Sequence, residues 1–196
     1  MSTLARLAIL LVSMLSLFGG APTTTGAITW HNTGSTAFTA TAGANTLTST
    51  FTPWSCGGAT MTGDSPTGST SSAIYSIRGT MSFSSCSLSG IATGVDCAYT
   101  FTGATQTGSQ VTGDVDMTCG WYQFNTKICH VAGNVHAIYT NPVAGVGTLT
   151  LTTGGKLVMS NPASGTCPLG NGDLAHLSEL TIRTTSANPP VITRTA

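Results

Sequence analysis

Two carboxylates and two histidines supply the residue types and spacings in this chain that chemistry most often uses. Asp114-Val115-Asp116 sets two acids two residues apart, and the segment CHVAGNVH carries His130 and His136 six apart. On a strand of period two, each pair shares one face. Paired carboxylates hold a hard cation such as calcium when further oxygens join them, and Asp64 and Asp96 are the available third partners. The histidines, with His31 or His176, would make a zinc site if Gly133-Asn134 turned the chain into a hairpin and brought them together. The bland alternative is an exposed acidic strand face and four ordinary histidines. No HExxH or CxxC spacing supports a metal, so no cofactor is expected.

Enzymatic readings are thin. Asp114 and Asp116 sit near the lower end of the roughly 5–9.5 Å separation that glycosidase carboxylates need, but spacing alone is weak. No G-x-S-x-G elbow is present, and Cys129-His130 adjacency on a strand sends the two side chains to opposite faces. A secreted hydrolase is therefore the third reading.

Aromatic residues suggest binding instead. Trp121, Tyr122 and Phe124 lie in the segment between Cys119 and Cys129, and Trp54 stands two residues before Cys56. If exposed and braced by a disulfide, they form a platform for a sugar, an apolar ligand or a protein. If buried, they are core caps, which is the simpler expectation.

Six cysteines, Cys56, Cys86, Cys97, Cys119, Cys129 and Cys167, make an even set. Their use depends on compartment. Residues 1–27 read as a secretory signal peptide: Arg6 in a short n-region, an apolar run from Leu7 to Phe18, then a small polar flank with cleavage expected after Ala27. A run of twelve residues, interrupted only by Ser13 and Ser16, is too short to cross a hydrocarbon core of about 30 Å, and no second run of membrane length follows. Export leads to an oxidising compartment, so the cysteines are expected to form disulfides. Chain proximity favours Cys86–Cys97 and Cys119–Cys129 as clamps of short loops, which leaves Cys56–Cys167.

Charged residues are 6% of the chain, whereas threonine occurs 37 times. Such a balance offers no track for phosphates, so nucleic acid is not an expected partner. A hydroxyl-covered surface instead suits contact with copies of the chain, another extracellular protein or a glycan.

The elements that must position these residues are strands. Segments at 28–31, 37–42, 46–52, 73–78, 80–85, 95–102, 109–119, 126–131, 134–140, 147–153, 156–160 and 179–185 alternate or carry β-branched residues, with Gly, Pro, Asn and Ser between them. In VDCAYTFT, Val95, Cys97, Tyr99 and Phe101 share one face. In GTLTLTTGGKLVMS, Gly154-Gly155 reads as a hairpin turn. GDLAHLSEL alone suggests a helical turn capped by Asp173, followed by a strand. A solenoid would need a fixed period, and the one echo is Thr62-Gly63-Asp64 against Thr112-Gly113-Asp114.

The expected fold is all-β: an antiparallel β-sandwich first and a closed barrel second, as a single disulfide-stabilised domain over residues 28–196 with little helix. The expected function is a secreted, non-catalytic structural or adhesive module of the cell surface or extracellular space. Self-assembly would run through Ile28–Ala42 as a donated strand. The alternative is a binding module that uses the aromatic loop.

Overall fold

A computed structural model describes residues 27–49, 53–88, 90–124, 126–152, 156–160, 167 and 174–195. The expected signal peptide and the Asp173 cap lie outside the described residues. The chain runs through β1 (Thr29–Asn32), β2 (Ala37–Ala42), β3 (Asn45–Ser49), β4 (Pro53–Cys56) and β5 (Gly58–Asp64). It continues through β6 (Gly68–Ser71), β7 (Tyr75–Leu88), β8 (Ile91–Thr107), β9 (Gln110–Gln123) and β10 (Thr126–Val143). The last elements are β11 (Val146–Leu151), β12 (Lys156–Ser160), β13 (Leu174–Leu177), β14 (Leu180–Thr184) and β15 (Ile192–Thr195). No helix occurs among the described residues, and Leu174–Leu177, expected to begin as a helical turn, is strand.

Short strands join end to end into long ones. β2 and β3 pair with β5 and β4 in one unbroken register, so each couple forms a single wall strand. β11 and β12 both pair with β10, one after the other along the same edge. β13 and β14 continue each other against β3 and β2. Eight wall strands result, each hydrogen-bonded to its neighbours in sequence, and the eighth closes on the first. The fold is an eight-stranded antiparallel barrel, the second expectation rather than the sandwich. Alternation alone cannot separate the two, because both bury one face of every strand. Following the registers once round returns to the first strand about ten residues away, which sets a strongly tilted barrel.

The expected Gly154-Gly155 turn lies outside the described residues; the strands on either side of it, β11 and β12, both pair with β10, and Thr152 donates its amide to the His136 carbonyl at 2.9 Å. A second expected turn is absent. Gly133-Asn134 lies within β10, where Gly133 faces Met117 on one neighbour and Leu157 on the other. Genuine turns of two residues separate β8 from β9 and β10 from β11.

Paired glycines bend the wall. Gly63 stands opposite Gly79, and Gly103 opposite Gly113. A Cβ on Gly79 would lie 1.9 Å from the Thr62 carbonyl oxygen, and one on Gly113 the same distance from that of Thr102. Strands approach this closely only where a side chain is missing, which is how barrels turn corners.

Inside, Met61, Ile77, Met81, Phe101, Val111, Val115, Trp121 and Leu151 are buried with their neighbours. Among the described residues the interior shows voids of about 10 and 20 Å³, room for one water each at most. One end is closed by a three-stranded sheet in the order β15-β1-β6, which seats Trp30 and Ile192 fully buried. Asn141 holds Ile192 from both sides, donating to its carbonyl at 2.6 Å and accepting its amide at 2.8 Å. Asn32 accepts from the amides of Gly34 and Val191 and donates to Ser65 Oγ at 2.8 Å, which knots the cap to two loops. Ile28–Ala42 is thus occupied within its own chain, β1 between β15 and β6 and β2 between β14 and β5.

The disulfides are Cys56–Cys86, Cys97–Cys119 and Cys129–Cys167, so all three expected pairings are corrected. Register is the reason: Cys97 and Cys119 face each other directly across β8 and β9. Cys86 and Cys97 lie on adjacent strands but out of register, so nearness along the chain misled. Three disulfides fit an oxidising, extracellular compartment.

Candidate functional site

The wall presents polar groups outward. Thr39, Thr41, Thr60, Thr62, Thr80, Thr118, Asp96, Asp114 and Asp116 are all exposed. A membrane barrel carries an apolar band at those positions, so this wall is built to meet water. Hydroxyls pair across strands: Thr62 with Thr80 at 2.9 Å, Thr39 with Thr185 at 2.9 Å, and Ser82 donates to Asp96 at 2.6 Å. Cross-strand pairs of this kind stabilise a sheet by a few tenths of a kcal/mol to about 1 kcal/mol each.

Three of the four candidate metal ligands come together on that face. His136 Nδ1 lies 3.3 Å from Asp114 Oδ1, and Asn134 donates to Asp116 Oδ1 at 2.9 Å. His130 does not join them. Since β10 runs straight, six residues separate the histidines by about 20 Å, and His130 meets Ser160 instead. Among the described residues no group of three or more His, Cys, Asp or Glu side chains could hold a metal ion. The side chain of His176 lies outside the described residues. Asp114 and His136 are each about half exposed, at 54% and 53%, so water rather than a cleft surrounds the pair.

The aromatic loop divides. Trp54 and Trp121 are buried and stack with centroids 5.1 Å apart, with Phe83 edge-on to Trp54 at 5.5 Å. They are core, not platform. Tyr122 is half-buried, and Phe124 stands 92% exposed at the β9–β10 turn. Its φ of 49° is in the left-handed region, which costs a bulky residue roughly 1–3 kcal/mol.

Sequence reasoning missed a region that the folded wall creates. Where Gly63 and Gly79 bend it, the outer surface is concave on both sides of Asp64. One open groove of about 420 Å³ is lined by Thr39, Thr62, Thr80, Ser186 and the backbone of Gly63 and Gly79. A second of about 450 Å³ is lined by Ser65, Pro66, Ser76 and Arg78, and Asp64 borders both. Ser186 Oγ is shielded from solvent and has no hydrogen-bond partner. Beneath, Tyr99 donates its hydroxyl to the Thr62 carbonyl at 3.1 Å. Burial, reinforced by the charge of Asp64, pushes that phenol well above its ordinary range.

The cap holds a further cluster. His31 Nδ1 lies 2.7 Å from Ser69 Oγ and its Nε2 lies 3.3 Å from Thr195 Oγ1, so the imidazole stitches β1 to both neighbours.

Comparison with protein families, with curated proteins and with solved structures returned no match.

Proposed function

We propose that this chain is an exported, non-catalytic adhesive module that acts through its outer wall at the cell surface or in the extracellular space. The observation that carries the reading is the filled barrel. With interior voids of about 10 and 20 Å³, recognition falls to the outside, because ligand pockets occupy about 300–1,000 Å³. That outside is hydroxyl-rich and nearly uncharged, with three disulfides behind it. Among the described residues, β6 and β15, four residues each, are the outer strands of the cap sheet, so a monomer is expected.

Two measurements test this. Epitope-tagged chain expressed in full should appear outside the cell, with its N-terminus trimmed near residue 28, and purified protein should bind back to intact cells. Confinement to the cytoplasm, or no retention on any cell surface, overturns the reading. Filaments by negative-stain microscopy would move it from adhesion to a structural polymer.

A second reading has its own observation. Phe124, strained and almost fully exposed, is shaped as a contact residue for a protein partner.

A further inference from the structure

We infer that the two grooves flanking Asp64 form one binding site for a neutral glycan chain, laid along the outer wall beside the capped end. This rests on the adhesive reading and names the site and ligand class for it.

The argument begins with shape. The grooves, of about 420 and 450 Å³, share Asp64 and so form one track across β5 and β7. Both are open rather than enclosed, which suits a chain that runs on past its contacts more than a small molecule that must be wrapped. The track is cut into paired strands, with Gly63 and Gly79 in direct register at its floor, so little ordering cost falls on binding.

Chemistry then selects the ligand. Thr39, Thr62 and Thr80 offer hydroxyls that both donate and accept, which matches the hydroxyls of a sugar. Ser186 Oγ lines the same track, shielded and without a partner, a polar group that a ligand hydroxyl would satisfy. A carboxylate such as Asp64 can accept from two adjacent donors and a guanidinium such as Arg78 can donate in a fork, and neither is held in an ion pair among the described residues. One carboxylate and one guanidinium cancel. A phosphate or sulfate chain would meet Asp64 at the centre of the track without a cationic surplus to offset it. A lipid or apolar peptide would bury these hydroxyls unpaired.

The test uses the secreted protein with its disulfides intact and isothermal titration with cellohexaose, chitohexaose, maltohexaose and xylohexaose, with heparin as an anionic control. At least one neutral hexasaccharide should bind. Asp64→Ala with Arg78→Ala should weaken it at least about tenfold, while Asp114→Ala, on β9 and lining neither groove, should not. The substituted positions are exposed, so the variants keep their fold, which near-ultraviolet circular dichroism checks. Binding by none of the four, binding unchanged in the double variant, or binding of heparin alone overturns the proposal. Retention on cells is measured in parallel. Retention that survives in the double variant removes the groove and leaves the adhesive reading standing. Glycan binding without cell retention does the reverse.

Discussion

Tyr99 lies directly under Gly63: its hydroxyl donates to the Thr62 carbonyl at 3.1 Å, and a Cβ on Gly63 would stand 2.4 Å from the phenol oxygen of Tyr99. The missing side chain is what admits the phenol, and the phenol holds the bent strand from inside. The pair ties the barrel core to the outer groove in one contact.

Gly63→Ala should therefore destabilise the fold by about 1–3 kcal/mol, since the new methyl meets both the Tyr99 hydroxyl and the Phe38 ring. Tyr99→Phe should cost about 1 kcal/mol for the lost hydrogen bond. In Gly63→Ala with Tyr99→Phe the two costs should be less than additive, because the phenylalanine leaves room for the methyl. Chemical denaturation of the four proteins measures this. Simple additivity would mean that the two residues do not compete for the same space.

Stability should fall in alkaline solution. Burial raises the phenols of Tyr75, Tyr99 and Tyr139 above their ordinary value near 10.0. In the unfolded chain they release protons once pH passes about 10, whereas the folded barrel keeps them protonated. Stability from this source is thus complete below pH 10 and declines above it. Tyr139 donates to the Pro190 carbonyl at 2.6 Å, so the cap opens with its ionisation. Thermal melts from pH 7 to 11 should show a drop beginning near 10, smaller in Tyr139→Phe. A flat profile sinks the assignment.

Each disulfide closes a loop of moderate length, with separations of 30, 22 and 38 residues. Replacing Cys97 and Cys119 together by alanine should cost about 3 kcal/mol, and Cys129 with Cys167 slightly more, on the chain-entropy account. Peptide mapping under non-reducing conditions should recover the three observed pairs. Recovery of Cys86–Cys97 would overturn the register between β7 and β8.

Strand existence was legible because Thr and Ser alternate with apolar residues over most of the wall, and β2 and β12 match the expected 37–42 and 156–160 to the residue. Glycine as a turn signal held at Gly108 and Gly145, which take positive φ between strands, and failed at Gly79 and Gly133, which lie inside continuous strands; at Gly79 the missing Cβ lets the Thr62 carbonyl approach. Local patterning cannot tell such a position from a turn, because the distinction depends on the strand across from it. The Thr-Gly-Asp echo did carry this information. Gly63 and Gly113 both face another glycine at a bend, with the threonine on the outer wall and the aspartate exposed beside it. Trp54 and Trp121, for which core burial is the simpler expectation, are buried; that they stack on each other depends on how the barrel tilts, which local patterning does not carry.

Phe124 separates strain from contact at a turn where an aromatic occupies the left-handed region. It is 92% exposed, so shortening it forfeits almost no buried area. Asparagine adopts φ near 49° at much lower cost than phenylalanine. Phe124→Asn should then raise stability, by up to about 1 kcal/mol, in the isolated protein. Selection for folding alone would remove such a residue, so its presence calls for a benefit outside the fold. If Phe124→Asn is both more stable and weaker in retention on cells, the hairpin tip is a contact surface alongside the wall. If it is more stable and retained as before, the wall acts without it. A loss of stability would show instead that the ring packs against the barrel end in solution, and the exposure on which the second reading depends would be wrong.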